Sequence, residues 1–257
     1  MKQILRQLCG ALTVTLLAWG AVQAADSAPV VLFDEGHDQR FVIEEEGGLH
    51  LSGLAAQIRA RGGTVRSSRG ALGAQTLAGV NALVISGPFQ PLTGAEIETI
   101  LRFLEQGGRL ALMLHIGHPF APLLERLDLD FSNYPLFERQ GIIGEDQRNF
   151  RVTKLEKNEL FAGMDSFSVY GAWALDSTGS QSAIIAWSSA DAYVDLNGDG
   201  HLSRGDVVGS FGVAAAGSRG KGKFLVFGDD AIFQNRFLDK DNSYLARRLA
   251  SWLTGTP

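Results

Sequence analysis

The sequence predicts an α/β fold in which a parallel sheet is covered by helices and the second half carries a β-rich insertion. Up to Leu114, short apolar runs at residues 30–33, 82–86 and 109–114 alternate with amphipathic stretches. Continuous apolar strands separated by helices are typical of a parallel sheet that is buried on both faces. After residue 150 the pattern changes to strands separated by turns, which indicates the insertion.

The first half contains two well-marked helices. Residues 49–61 place apolar side chains at helical spacing, and the pattern stops at the glycine pair 62–63. Thr93 opens the second helix as its N-cap, and Glu96 stands three residues later as the partner expected in a capping box. A short strand is predicted at residues 64–67 and a brief helix at residues 72–78.

The second half is dominated by strands. The strands are predicted at residues 150–155, 166–175, 183–187, 207–215 and 223–227. An amphipathic helix at residues 242–253 closes the chain. No repeat, linker or low-complexity block interrupts this order, so residues 25–257 are predicted to form a single domain.

The N-terminus has the pattern of a secretory signal peptide. Lys2 and Arg6 provide the positive region, an apolar run follows at residues 12–19, and Val22-Gln23-Ala24 supplies small residues at the cleavage site. The apolar run is shorter than the roughly 20 residues that span a bilayer. We therefore expect cleavage after Ala24, a periplasmic or secreted protein, and no stable membrane span after cleavage.

Composition excludes several function classes. The single cysteine, Cys9, lies within the predicted signal peptide, so the mature chain has no disulfide, thiolate ligand or cysteine nucleophile. Removing residues 1–24 takes away two basic residues and no acid, which changes the formal net charge from −5 to −7. An acidic exported protein is a poor partner for nucleic acid or anionic lipid.

Residues 195–206 have the spacing of a calcium-binding loop. Oxygen-bearing side chains stand at loop positions 1, 3, 5, 9 and 12, Gly200 stands at position 6, and position 7 would contribute a backbone carbonyl. The predicted ligands are Asp195, Asn197, Asp199, His201 through its carbonyl, Ser203 and Asp206. Calcium takes six to eight oxygen ligands, and this loop supplies them within twelve residues.

The alternative interpretation of this loop is a polar turn between strands, with Asp, Asn and Gly chosen for their turn geometry. The loop resembles the dockerin type more than the EF-hand sensor type, because Asp206 replaces the usual glutamate. Its flanks are predicted strands rather than helices. We therefore expect a structural clip and not a switch that opens on binding.

Motifs at several strand ends carry a resemblance to a known family. They are Phe33-Asp34-Glu35-Gly36-His37, Ser86-Gly87-Pro88 with Leu92-Thr93, Gly107-Gly108-Arg109-Leu110, and Phe227-Gly228-Asp229-Asp230 continuing to Trp252-Leu253. The chain resembles the class I glutamine amidotransferase-like superfamily, in a bacterial exported branch related to auxiliary proteins of gliding-motility-type ABC transporters. The resemblance implies a flavodoxin-like fold over most of the mature chain.

The chain departs from the enzymes of that superfamily at the nucleophile. The strand ending at Leu114 is followed by His115-Ile116-Gly117-His118, with no cysteine or serine at the turn. The acyl-transfer chemistry of the superfamily therefore does not carry over.

A second polar group lies at the predicted carboxyl edge of the sheet, where ligands of open α/β sheets bind. Asp34, Glu35 and His37 follow the first strand, and His115 follows another. Together they have the chemistry of an acid–base set or a transition-metal site. The alternative is ordinary loop polarity. Asp229, after a late strand, is expected to cap a short helix near Ala231.

These observations predict an exported, calcium-binding and non-catalytic module for ligand binding or assembly, with calcium as cofactor and a protein partner in the cell envelope. The alternative is a hydrolase that acts on a saccharide or peptide-type bond through Asp34, Glu35, His37 and His115. The two hypotheses differ in whether these four side chains meet at one reacting atom.

Overall fold

The structure is a computed structural model that describes residues 28–256, so the predicted signal peptide at residues 1–24 lies outside the described residues. Its strands are β1 (Val30–Asp34), β2 (Thr64–Ser68), β3 (Ala82–Ser86), β4 (Arg109–Met113), β5 (Leu129–Phe137), β6 (Ile142–Ile143), β7 (Asp146–Val152), β8 (Lys154–Leu155), β9 (Phe167–Tyr170), β10 (Trp173–Ser177), β11 (Ser182–Trp187), β12 (Tyr193–Val194), β13 (Val207–Val208), β14 (Gly212–Arg219) and β15 (Gly222–Phe227). The α-helices are α1 (Ser52–Ala60), α2 (Gly94–Glu105), α3 (Ala121–Glu125) and α4 (Lys240–Thr254).

Twelve strands form one mixed sheet, with the main order β13-β12-β5-β10-β14-β15-β4-β3-β1-β2. The strands from β2 to β15 in this order pair in parallel. From β15 through β14, β10, β5 and β12 to β13 every pairing is antiparallel. The sheet therefore has a parallel half and an antiparallel half, which meet between β14 and β15.

The predicted flavodoxin-like fold, a parallel sheet covered by helices with a β-rich insertion, is wrong. The strands of the second half do not form an insertion, because β14 pairs with β15 along six residues and continues the same sheet. Within residues 28–256, four α-helices accompany fifteen strands, twelve of them in the mixed sheet, so this sheet dominates the fold. Periodicity identifies strands but carries no signal for which edges pair.

Individual elements agree better with the sequence than their assembly does. The capping box is confirmed, because the Thr93 hydroxyl accepts from the Glu96 N–H and the Glu96 carboxylate accepts from the Thr93 N–H. Residues 72–78, predicted as a helix, form turns instead. The nine-residue strand β5 was not predicted, and the run 166–175 divides into β9 and β10.

The sheet separates two apolar cores. Helices α1 and α4 pack on each other over one face, where Leu54, Ile58 and Leu249 are fully buried. Helix α2 contributes Ile100 and Leu104 to the core of the other face. A separate three-stranded antiparallel sheet is formed by β6, β7 and β9. No helix within residues 28–256 combines the length and the apolar character that crossing a membrane requires.

The carboxyl ends of β1, β3, β4 and β15 lie at one edge of the sheet because these strands run in parallel. An irregular segment, residues 35–51, crosses this edge and is called the strap here. Its backbone is bonded to the rest of the molecule at both ends: the His37 carbonyl accepts from Phe89, and the His50 carbonyl accepts from Asn235. This edge carries the candidate functional site.

Candidate functional site

Two histidine clusters occupy the carboxyl edge. His37 follows β1, His115 follows β4, and β3 lies between those strands. Two strand spacings amount to about 10 Å, so the side chains start from well-separated positions. Each histidine then binds different acidic partners. Asp34 and His37 belong to one hydrogen-bonded cluster, and His115 belongs to another.

The His37 cluster is closed on itself. His37 Nδ1 lies 2.7 Å from Asp34 Oδ2, and His37 Nε2 lies 3.2 Å from Glu96 Oε1. Gln39 Nε2 also donates to Asp34 Oδ2, at 2.5 Å. His37 and Gln39 belong to the strap, Asp34 ends β1 and Glu96 belongs to α2. The side chain of His37 is only 8% exposed. With both ring nitrogens bonded, His37 has no lone pair or proton left for a ligand.

Glu96 ties this cluster to the start of α2. Burial alone would raise the pKa of Glu96, but hydrogen bonds from Thr93, the Leu72 N–H and His37 outweigh it and lower the pKa to about 2. The bond to Asp34, together with the charges of Asp34 and Glu96, raises the pKa of His37 against its burial. His37 is therefore favoured as an imidazolium between two carboxylates, which is a structural arrangement.

Glu35 also acts on the strap. Its Oε1 accepts from the Ile43 N–H at 3.1 Å, and its Oε2 lies 3.6 Å from the exposed Arg69 guanidinium. Burial raises the pKa of Glu35, and the Ile43 bond opposes that shift. The carboxylate therefore holds the backbone of the strap at Ile43.

His115 has a different environment. Its Nδ1 lies 3.2 Å from Asp230 Oδ1, and its ring packs between Phe41 and Phe89 at centroid distances of 5.3 and 5.2 Å. The bond to Asp230 raises the pKa of His115 against its partial burial. Among residues 28–256 no other group hydrogen-bonds to the ring. Its side chain is 37% exposed, so the imidazole is accessible to a ligand.

Asp230 is the buried hydrogen-bond partner of His115. The carboxylate is 1% exposed, and burial raises its pKa while the His115 bond opposes that shift. Its second oxygen, Oδ2, has no hydrogen-bond partner within the described chain and lies against Gly87. Gly87 has φ +54°, and a Cβ there would come within 2.5 Å of that oxygen. Glycine at this strand end therefore makes room for the buried carboxylate.

Asp229, which follows β15, links the main sheet to the three-stranded sheet. Its Oδ2 accepts from the Tyr170 N–H at 2.6 Å, and its Oδ1 accepts from the Ala231 N–H at 2.9 Å. Burial, followed by the charge of Asp230, raises the pKa of Asp229 to about 7. The bond to Ala231 starts the short 3-10 turn at residues 231–233, where the sequence predicted a cap.

A cavity of about 370 Å³ opens beside His115 and Asp229. The strap and the segments after β4 and β15 supply part of its lining, and strands β5, β7, β9 and β10 supply the rest. Its walls include Phe41, Leu49, Pro135, Asp146, Arg148, Asn149, Tyr170, Trp173, Gln234 and Phe237. We call this space the edge cavity. Its volume is at the small end of the range for small-molecule sites.

Sequence reasoning found His115 and the Asp229-Asp230 pair but missed the other half of the cavity. Arg148 and Tyr170 lie on β7 and β9 of the separate three-stranded sheet, and Trp173 lies on β10 of the main sheet. Trp173 is fixed there because its indole N–H donates to the His115 carbonyl at 2.9 Å. No local pattern in the sequence marks these residues as neighbours of His115.

The 195–206 loop connects β12 and β13 at the far edge of the antiparallel half. Asp195 is 3% exposed, and its carboxylate accepts from the N–H groups of Gly198, Asp199 and Gly200. Asp206 accepts from Leu196 and Ser203. These bonds close the loop on itself.

The donor set of the loop matches a hard cation in composition, but its geometry is that of a hydrogen-bonded turn. The Asn197 amide nitrogen donates to Asp199 Oδ2 at 2.9 Å and to Ser203 Oγ at 2.8 Å. His201 Nδ1 lies 3.1 Å from the Asp199 carbonyl. Across residues 28–256, no group of three or more His, Cys, Asp or Glu side chains is placed to hold a metal ion.

Several solved structures share the fold of this chain. The mmIFT52 N-terminal domain aligns with a TM-score of 0.69 and 19% identity, over 87% of this chain and 97% of that one. Cytoplasmic protein STM1381 from Salmonella typhimurium LT2 gives 0.55 and 13% identity, over 88% and 97%. A ThuA-like protein from Parabacteroides merdae gives 0.53 and 11%, over 89% and 91%. Identities this low show the fold alone.

The sequence comparisons correct the resemblance proposed above. A search of the curated proteins finds no match. The predicted membership of the class I glutamine amidotransferase-like superfamily, with a dockerin-like loop, is wrong, because a different family model matches residues 50–250 and the sheet is mixed. Many folds have polar residues at the ends of their strands, so these motifs do not identify a superfamily. The chain belongs to the family described as DUF4350, a domain of unknown function.

Proposed function

We propose that this protein is a non-catalytic module that binds a small ligand in the edge cavity. The observation that carries the proposal is the presentation of His115 to that cavity: a half-exposed imidazole oriented by the buried carboxylate of Asp230. A convergent polar group inside an aromatic-lined cavity at the carboxyl edge of parallel strands is typical of ligand sites.

The alternative, a hydrolase acting through Asp34, Glu35, His37 and His115, has weaker support. Both nitrogens of His37 are bonded to carboxylates, and Glu35 holds the strap. General acid and base groups must reach the same reacting atom. The bonds of His115 within the described chain include no serine or threonine hydroxyl that it could activate as a nucleophile.

Ligand-observed NMR with a mixed panel tests the proposal. The panel contains glucose, N-acetylglucosamine, maltose, adenosine, uridine, leucine and glutamate. We expect at least one compound to bind the wild type and to lose binding in His115→Ala. His118→Ala is the matched control, because His118 is an exposed histidine three residues away that does not line the cavity. Equal binding by both variants, or no binding by the wild type, contradicts the proposal.

We propose separately that the 195–206 loop binds calcium. Support comes from three carboxylates, an amide and a hydroxyl within twelve residues, and from the proximity of the Asp199 and Ser203 oxygens around the Asn197 amide. Amide O and N atoms exchange places by a half-turn, and oxygens are the ligands that calcium takes. Asp195, Asn197, Asp199, Ser203 and Asp206 would hold the ion as a structural clip.

Calorimetric titration of the metal-free protein with calcium tests this second proposal. We expect one site and a melting temperature that rises with calcium concentration, because a ligand bound only by the folded state stabilises it. Asp199→Ala should remove the heat, whereas Asp191→Ala, a change at an exposed acid outside the loop, should not. An unchanged titration in Asp199→Ala, or no heat in the wild type, refutes calcium binding. A protein partner in the cell envelope stays a prediction.

A further inference from the structure

The edge cavity has one aromatic wall. Tyr170 and Phe237 stack on each other at a centroid distance of 4.1 Å and an interplanar angle of 27°, and both rings line the cavity. Phe41 stands edge-on to His115, and Trp173 stands edge-on to Phe131. Among the cavity-lining rings of the described residues there is no second stacked pair. A flat ligand therefore finds one face to stack on, not a slot between two.

Hydrogen-bonding groups line the same cavity beside this wall, and Asn149 is the cross-strand neighbour of Tyr170. Arg148 is held as a planar fork, because its Nε and Nη2 donate to the two oxygens of Asp146 at 3.0 and 2.8 Å. This pairing leaves the remaining guanidinium N–H groups free to donate to a ligand. Asn149 and His115 add an amide and an imidazole on the same cavity. Arg148 and His115 are oriented by these carboxylate bonds before a ligand arrives, which reduces the entropy lost on binding.

The charges that line the cavity are paired within it. Arg148 faces Asp146, and His115 faces Asp230. Asp229 is buried, and both of its carboxylate oxygens already accept from backbone N–H groups, those of Tyr170 and Ala231. A phosphate, carboxylate or ammonium ligand would find no unpaired counter-charge here, and desolvating it would be costly. A neutral ligand with many hydrogen-bonding groups suits this site best.

We propose that the ligand of the edge cavity is a neutral saccharide, one or two sugar rings in size. A sugar ring has an apolar face of C–H bonds, which fits the Tyr170–Phe237 wall, and a rim of hydroxyls, which fits Arg148, Asn149 and His115. The volume of about 370 Å³ limits the ligand to this size class. This inference rests on the proposed ligand-binding function and names its ligand class.

The test measures dissociation constants for glucose, N-acetylglucosamine and maltose with the full-length chain by ligand-observed NMR, beside adenosine, leucine and glutamate. We expect at least one saccharide to bind and its affinity to fall about tenfold or more in Phe237→Leu, which keeps the apolar volume but removes the ring face. Arg148→Lys, which keeps the charge but removes the planar fork, should have a similar effect. Tyr134→Ala, an exposed aromatic change outside the cavity, should leave affinity unchanged.

The outcomes separate this inference from the proposed function. Binding of adenosine, leucine or glutamate that depends on His115, with no saccharide binding, overturns the saccharide and leaves the ligand-binding function standing. Saccharide binding that is unchanged in Phe237→Leu and Arg148→Lys also overturns the inference, because the sugar would then lie elsewhere. Binding of nothing in the panel to the wild type overturns both.

Discussion

The two histidine clusters at the carboxyl edge look alike in sequence and differ in what they leave free. His37 and His115 each follow a buried strand, and each binds a buried aspartate through Nδ1. The Nε2 of His37 bonds to Glu96, whereas the Nε2 of His115 has no hydrogen-bond partner within the described residues and its side chain lines a cavity. One cluster therefore holds the strap in place, and the other is open to a ligand.

This difference shows why a histidine beside a carboxylate is weak evidence of a functional site. A histidine whose two nitrogens both have partners has completed its hydrogen bonding within the protein. The side-chain exposures, 8% for His37 and 37% for His115, agree with that division. The second partner of His37 comes from the capping box of α2, so the structural role depends on a residue 59 positions away.

The largest effect is expected from a substitution that breaks the His37 cluster. Glu96→Ala removes the acceptor of the Leu72 and Thr93 N–H groups and leaves His37 without its second carboxylate. Because the charge partners stay buried, we expect a loss of about 3–5 kcal/mol in the free energy of unfolding. Urea denaturation measures this. Glu98→Ala, an exposed acid on the same helix, should change stability little; equal losses in both variants would show that the cluster is not structural.

The free energy of unfolding at acidic pH should depend on the same cluster. The pKa of Glu96 is lowered to about 2 in the fold from an ordinary value of 4.5. Its stabilising contribution is therefore complete above about pH 4.5 and disappears as the pH falls towards 2. Unfolding curves between those pH values should be steeper for the wild type than for Glu96→Gln. Parallel curves would mean that Glu96 titrates normally.

A slope of opposite sign is expected from Asp229. Its pKa is raised from 3.8 to about 7 by burial, so the folded state binds a proton that the unfolded state has released. The destabilisation grows as the pH rises from about 4 to 7, with a slope of at most about 1.4 kcal/mol per pH unit. Asp229→Asn should remove this slope. If the free energy of unfolding changes by the same amount between pH 5 and pH 7 in the wild type and in Asp229→Asn, the raised pKa of Asp229 is excluded.

The smallest expected effect is a difference in chemical reactivity between His115 and His37 in the folded protein. Diethyl pyrocarbonate acylates accessible, neutral imidazoles, so His115 should react at mildly alkaline pH while His37 stays protected. Mass spectrometry of peptides from the modified native protein measures both sites. A bound saccharide should slow the reaction at His115 and leave that of the exposed His118 unchanged. Modification of His37 at a similar rate would contradict its closed arrangement.

Local features of the site were accessible to sequence reasoning because they depend on neighbours within a few residues. The capping box of Thr93 and Glu96 spans three residues, and β3 is a continuous apolar run, so both were predicted correctly. The strand β5 was missed because Ser132, Asn133 and Pro135 interrupt its pattern. Proline and asparagine are depleted in strands, so propensity pointed away from one.

By itself, the sequence determined the buried strands, the capped helix and the presence of acids and histidines at strand ends, because hydrophobic period and capping chemistry are local. Only the tertiary structure decided that the second half extends the same sheet, that Asp230 lies under His115 from 115 residues away, and that Tyr170 faces them across a cavity. Strands pair through backbone N–H and C=O groups, which are the same for nearly every residue type. The choice of partner strand, and with it the contact between residues far apart in the chain, therefore depends on the whole sheet and not on any local pattern.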